Sequence, residues 1–408
     1  MAGSLIGLAG IAVLLGFAVL MSSNRRAINL RVVTAAFGLQ AAVAALVLYV
    51  DVGKRAIESM STAVQQVIDY SGAGIQMVFG SLASEEVGFS FAVYVLPVIV
   101  FFASLMAVLY HLGIMQWVVR LVGGALRRIV GTGRVESLNA AANIFVGQTE
   151  APLVVRPYLD GLTEPQMFTI MVSGLASVAG TVLAAYVMMG AEMKYLLAAS
   201  FMSAPGGLLM AKLMMPDDRT GVDTTDVGGL RMEESRHANV ILAAAMGASD
   251  GVRLAVNIGA MLIAFVALIA LFNGVVGGLA GLVGIEGLTL QKLLGWAFAP
   301  VMWVIGVPWA EATAAGALFG EKLILNEFVA FSHMDEYLAG TSEKTRAITT
   351  FALCGFANLS SIAILLGGLG SLVPEKRELI ARFGLKAVAA GSLSNLMSAT
   401  LAGLLLTF

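Results

Sequence analysis

A chain of 408 residues with 59% hydrophobic and only 12% charged residues is too apolar for a soluble globular protein, where charged residues make up about a quarter. A formal net charge of −2 with no basic groove excludes nucleic acid as a partner, because phosphate binding needs clustered Lys and Arg. The single cysteine, Cys354, excludes a disulfide within the chain and any Cys-rich metal site, and in its apolar run it reads as a small packed residue.

The first 24 residues are apolar without a preceding Lys or Arg, so they read as a retained first span and not as a signal peptide. Charge-free windows long enough to cross a hydrocarbon core then recur, giving eight expected crossings at about 3–22, 32–50, 87–112, 165–190, 195–214, 252–284, 346–372 and 385–407. Segments 54–70 and 116–130 look interfacial; the second carries Trp117, Leu121 and Ile129 among arginines, although packing against a neighbouring subunit fits equally well. Two further apolar regions are interrupted. Region 135–160 holds Glu150 and is broken by Gly147 and Pro152; region 298–338 holds Pro308, Glu311, Gly316, Gly320 and Glu327. Backbone freed by such breaks must be satisfied by protein or a watery cavity, so both are read as re-entrant helical hairpins. The fold class is therefore an all-α membrane protein with eight transmembrane helices and two hairpins.

Arg25, Arg26 and Arg31 follow the first crossing, Arg120, Arg127, Arg128 and Arg134 the third, and Lys376, Arg377, Arg382 and Lys386 the seventh. Short cytoplasmic loops collect Lys and Arg, which places both termini outside. The loop at 215–237 is mixed in charge and decides nothing.

The two interrupted regions resemble each other. Asn143-Ile-Phe-Val-Gly-Gln-Thr-Glu150 precedes Gly174-Leu-Ala-Ser-Val-Ala-Gly-Thr-Val182, and Lys322-Leu-Ile-Leu-Asn-Glu327 precedes Gly355-Phe-Ala-Asn-Leu-Ser-Ser-Ile-Ala363. Three crossings separate the hairpins, so the halves enter from opposite faces as inverted-topology repeats do. The expected organisation is 1–86 for N-terminal spans and an interfacial helix, 87–134 for a scaffold span and amphipathic helix, 135–214 for the first repeat, 215–297 for a loop, scaffold span and interfacial segment, and 298–408 for the second repeat.

An intramembrane carboxylate costs about 2.5–3.5 kcal/mol on insertion scales, so Glu150 and Glu327 need partners. Gln148 and Thr149 flank the first and Asn326 the second, while Ser177, Asn358, Ser360 and Ser361 lie in small-residue segments expected to unwind. Neutral donors and acceptors beside two acids suit a polar uncharged ligand, whereas an anion would want Arg or Lys in the spans. The same oxygens suit a hard monovalent cation, and the acids alone would serve a proton; composition leaves that choice open. A passive channel would show polar residues along one continuous path. An intramembrane zinc enzyme lacks support, since His111, His237 and His333 are widely spaced and no His-Glu-x-x-His is present.

At these residues the chain resembles the concentrative nucleoside transporter family. The signals are Gly147-Gln-Thr-Glu-Ala-Pro152, Gly306-Val-Pro-Trp-Ala-Glu-Ala312, Leu325-Asn-Glu-Phe-Val-Ala330 and Cys354-Gly-Phe-Ala-Asn-Leu-Ser-Ser361, in the family's order over about 110–408. The resemblance implies Na⁺-coupled nucleoside uptake, no enzyme activity and no cofactor beyond Na⁺ as coupling ion. It implies a nucleobase side at Gln148, Thr149, Glu150 and Val182, a ribose side at Glu327, Asn358 and Ser361, and an apolar wall at Phe356. Sodium ligands fall on the side chains of Asn143 and Ser177 and the backbone oxygens of Val146 and Val178. A lipid-embedded homotrimer moving as an elevator in a bacterial cytoplasmic membrane is also implied.

Overall fold

In hydrocarbon no water satisfies backbone N–H and C=O groups, so apolar runs of this length fold as helices that bond internally. The computed structural model describes residues 2–83, 90–217, 237–282 and 284–406, and every regular element among them is helical. The expected boundary at 86/87 and most of the loop at 215–237 lie outside the described residues.

Helices α1 (Ala2–Leu20), α2 (Leu30–Leu48) and α3 (Asp51–Phe79) come first. The Asn29 side chain starts α2 by accepting from the backbone N–H of Arg31 at 3.1 Å. Helix α3 runs well beyond the 54–70 read from sequence, because no proline interrupts it until Gly80, at φ 54, ends it. Helices α4 (Phe91–His111) and α5 (Ile114–Val130) follow, the latter matching the amphipathic segment and bounded by Gly113 and Gly131 in left-handed conformation.

The first interrupted region is α6 (Arg134–Ala142), a turn, and a 3-10 stretch over Ala151–Tyr158 led by Pro152. Then come α7 (Glu164–Ala176), α8 (Gly180–Met188) and α9 (Met193–Met214), so the run expected as one span at 165–190 is divided at Ser177–Ala179. Helix α10 (Val240–Leu282) has 43 residues, about 65 Å at 1.5 Å per residue. The expected span starts only at 252, just after Asp250; the side chains of Asp250 and Arg253 are 66% and 79% exposed and leave the helix intact.

Helices α11 (Leu290–Val304) and α12 (Trp309–Ile324) meet at a 117° bend. Gly306, at φ 111, and Pro308 make that bend, so the expected boundary at 297/298 falls inside α11. Helices α13 (Glu327–Ser332), α14 (Met334–Tyr337) and α15 (Glu343–Leu353) lead to a second unwound stretch. After it stand α16 (Ser360–Gly367), α17 (Leu369–Leu372) and α18 (Arg377–Leu405). The run expected at 346–372 is thus also divided, at Cys354–Leu359.

Burial separates an inner body from an outer frame. The apolar windows of α9 and of α7 with α8 are 94% and 83% buried within the protein, those of α10 and α4 only 17% and 22%. Ile263, Leu271 and Leu282 on α10 are exposed, as lipid-facing side chains are. In the inner body α7 and α15 pack on α9 and α18. A buried ion cluster ties the first interrupted region to it: Lys212 Nζ on α9 lies 2.6 Å from Glu136 on α6 and 2.7 Å from Asp217.

The frame closes through small residues. Ala243, Gly247, Gly251 and Ala255 recur every fourth position on α10, all buried, and α4 packs along them. A Cβ on Gly247 would meet Ala107 Cβ at 2.5 Å and the Ala103 carbonyl at 2.7 Å. Gly247→Leu should therefore force α4 from α10 and lower the melting temperature of the purified protein, overpacking costing about 1–3 kcal/mol; an unchanged melting curve would contradict so close a contact.

Candidate functional site

Breaking a helix inside a protein exposes carbonyls at the end of one segment and N–H groups at the start of the next. Here the breaks in α7/α8 and α15/α16 lie against each other, and Phe356 N donates to Ser177 O across them at 3.0 Å. Each also docks on the interrupted region of its own half. Gly180 N donates to Phe145 O and Leu359 N to Leu323 O, both at 3.0 Å. Two stretches alike in sequence thus make like contacts.

One side chain closes both breaks. The Asn395 carboxamide on α18 donates to Ala176 O at 2.7 Å and to Cys354 O at 2.9 Å, and its Oδ1 accepts from Lys322 Nζ at 3.0 Å. Gly355 makes room for it, since a Cβ there would stand 2.6 Å from the Asn395 carboxamide carbon.

Around this crossing the structure brings most of the expected residues together. Glu327 begins α13, only 3% exposed. Its Oε1 accepts from Tyr186 OH and its Oε2 from Asn358 Nδ2, each at 3.1 Å. Asn358 Oδ1 accepts from Ser361 N at 2.8 Å, and Ser361 Oγ accepts from Gln148 Nε2 at 3.3 Å. A continuous polar chain therefore joins Glu327 in one interrupted region to Gln148 in the other. Val182 is buried on α8, and Phe356 is half-buried, its carbonyl accepting from Ser361 Oγ.

No motif singles out Tyr186. It stands four residues after Val182 on α8, one helical turn along the same face, and that spacing is the signal the sequence offers for it. Its ring stacks on Phe331 at 4.5 Å between centroids.

Glu150 departs from its sequence neighbours. Gln148 is buried against Ser361, whereas Glu150 is exposed, bonded to Thr149 Oγ1 at 3.0 Å, and turned into a cavity of about 610 Å³ between α4, α10 and the turn after α6. Tyr110, Gly147, Thr181, Asp250 and Asn257 line it as well. The two carboxylates read together in the sequence thus face different surroundings.

Of the oxygens expected to hold a cation, those of Ser177 and Val178 lie at the first break and those of Asn143 and Val146 in the turn after α6. Asn143 is buried, its Nδ2 donating to Asn139 O at 3.0 Å, while its Oδ1 has no hydrogen-bond partner among the described residues. Helix α7 passes beside it, a Cβ on Gly174 lying 3.7 Å from that oxygen. Ser177 ends α7 in extended conformation with its hydroxyl donated to Ser173 O at 3.1 Å, which leaves its lone pairs available. The carbonyls of Val146 and Val178 accept no backbone hydrogen bond among the described residues. An uncommitted amide oxygen, a hydroxyl and free carbonyls are hard neutral ligands, which fits a monovalent cation. No cluster of three or more His, Cys, Asp or Glu able to hold a metal occurs among the described residues.

Comparison with known proteins agrees along the whole chain. Residues 9–82 match the family described as Na+ dependent nucleoside transporter N-terminus, 92–193 the one described as Nucleoside recognition, and 195–403 the Na+ dependent nucleoside transporter C-terminus. An uncharacterized transporter of Haemophilus influenzae is 53% identical over 97% of this chain and 96% of its own. The nucleoside permease NupC of Helicobacter pylori is 50% identical over 98% and 97%. The structure of CNTnw in an inward-facing substrate-bound state is 52% identical, covers 99% of this chain and 98% of that one, and superposes with a TM-score of 0.93; an outward-facing state of a substituted CNTnw gives 0.95 at 99% of each. The protein is thus an integral membrane transporter and not an enzyme. It belongs to the concentrative nucleoside transporter family.

Gly355→Ala should push a methyl into the Asn395 carboxamide and cost about 1–3 kcal/mol of stability, as overpacking does. Wild-type thermal melting for this variant would show that the crossing is looser than described.

Proposed function

We propose that the protein takes up nucleosides across the bacterial cytoplasmic membrane, driven by the Na⁺ gradient. The observation that carries this is the polar chain from Glu327 through Asn358 and Ser361 to Gln148, with buried polar atoms beside it that lack partners among the described residues: Gln148 Oε1 and Asn326 Nδ2. Buried polar atoms are ordinarily paired, so unpaired ones at a shared site suit a ligand with its own hydroxyls and amide edges.

In this reading Gln148, Thr149 and Glu150, with Val182, recognise the base; Glu327, Asn358 and Ser361 hold the ribose; and Phe356 forms an apolar wall. Each Glu327 oxygen bonds one protein donor and keeps a lone pair for a ribose hydroxyl. Na⁺ binds Asn143 and Ser177 through their side chains and Val146 and Val178 through their carbonyls. Because the first break carries two of the cation ligands, Ser177 and Val178, and touches Phe356 at the second, filling one site bears on the other.

The proposed architecture is eight crossings and two re-entrant hairpins in inverted repeats, with both termini outside and the protein a lipid-embedded homotrimer. The inner body carries the ligands and moves as an elevator against the frame that includes α4 and α10. Its support is the difference in burial between the two and the opposed states of CNTnw.

The test is uptake of radiolabelled uridine by vesicles containing the protein. Accumulation against a gradient only with Na⁺ outside is expected; uptake indifferent to Na⁺ would remove the coupling, and no uptake of any nucleoside would remove the function. Glu327→Gln should weaken uridine binding at least about tenfold, since hydrogen bonds to a charged acceptor contribute about 1.5–3 kcal/mol; calorimetry with unchanged affinity would contradict the ribose assignment. Asn143→Ala should raise the Na⁺ concentration for half-maximal uptake while leaving the order of preference among nucleosides as it was, and the reverse pattern would argue against a cation ligand.

A further inference from the structure

Lys322 is an unusual residue to find here. It sits on α12 with its side chain fully buried, five residues before Glu327, and it donates a hydrogen bond to the neutral Asn395 amide at 3.0 Å. The Phe319 ring lies 5.7 Å from its Nζ, and Glu327 starts the next helix after the one that carries it. A buried ammonium is costly unless its surroundings use it. The amide it meets is itself fully engaged, because Asn395 Nδ2 holds Ala176 O and Cys354 O together. Ala176 precedes the proposed cation ligands Ser177 and Val178; Cys354 precedes Phe356 and Asn358 of the nucleoside site. A single side chain thereby bonds to the end carbonyls of both α7 and α15.

We propose that Asn395 and Lys322 are positioning residues that couple the two ligands: the pair passes the occupancy of the ion break to the nucleoside break and back. The inference rests on the Na⁺-coupled nucleoside uptake proposed above and deepens it by naming the residues that link its two sites. When a cation draws in the Ser177 and Val178 oxygens, the peptide ending at Ala176 O reorients. The amide holding that carbonyl moves with it and carries along Cys354 O on one side and the Lys322 ammonium, hence the field at Glu327, on the other. Coupling between two binding equilibria is reciprocal, so nucleoside at Glu327 and Asn358 tightens the ion site by the same factor. Neither residue needs to touch either ligand.

The experiment measures the uridine Kd of the purified full-length protein in Na⁺ and in choline, and takes the ratio as the coupling factor. Two variants separate the parts of the link. Asn395→Asp keeps an acceptor for Lys322 but has no donor for the two carbonyls; Lys322→Gln keeps the Asn395 bridge and removes the charge. In each, the coupling factor should fall toward 1 by about tenfold, within the 5–150-fold span of ordinary allosteric coupling. A factor that stays at the wild-type value, or a Kd weakened equally in both salts, would assign these residues a structural role and overturn the proposal. Should Asn395→Asp fail to fold, Lys322→Gln decides on the same criterion. A wild-type protein that binds uridine with no Na⁺ dependence would remove the symport reading, and the link with it.

Discussion

Unwound backbone in the middle of an apolar body is tolerated only if something replaces the helix hydrogen bonds it gives up, and here that replacement is concentrated on the Asn395 carboxamide. Its two N–H groups satisfy the end carbonyls of α7 and α15, and its oxygen takes the Lys322 ammonium. Without a donor, each buried carbonyl would cost about 1–3 kcal/mol. With one, both breaks persist side by side, and their freed peptide groups and small side chains become ligand-binding groups. The Phe356 to Ser177 bond and the docking of Gly180 and Leu359 on the interrupted regions complete the same requirement with backbone alone.

The rest of the molecule divides by how it meets this core. Helices α7 and α9, and α18 over its second half, are buried nearly all round; α4 and α10 show large apolar side chains outward and meet each other along small residues. Between apolar helices in a membrane no hydrophobic force favours association, so close backbone approach and its dispersion contacts take over. That is why a glycine ladder suffices to join two long helices, while α6 is secured to α9 by a buried ion pair. Such a pair costs little to keep once both partners are in place and much to break.

The character of the site follows from the same economy of charge. One carboxylate, Glu327, is held by a phenol and an amide; the groups that join it to Gln148 are neutral, and Gln148, Asn326 and Asn143 each retain an unpaired atom among the described residues. A site built in this way recognises hydroxyls and amide edges. It leaves net charge to the cation, for which uncommitted neutral oxygens are suited.

Much of this is legible in the residues alone. Long charge-free runs decide that the chain is helical and membrane-embedded, because hydrocarbon admits few alternatives, and the paired motifs ending in Glu150 and Glu327, with the small-residue stretches around Ser177 and Asn358, mark where the helices must be interrupted. Gln148, Glu327, Asn358 and Ser361 are legible as partners because they lie in those motifs. Asn395, Tyr186 and the glycine ladder of α10 are not, since each lies in an ordinary-looking helix and gains its role from what faces it. Glu150 shows the converse: adjacent in sequence to Gln148 and Thr149, it opens onto the cavity beside α4 and α10. Sequence order determined which groups are available and where the backbone breaks. Only the tertiary packing decided which way each side chain points, because that depends on neighbours hundreds of residues away, and above all on the meeting of Asn395 with Ala176 and Cys354.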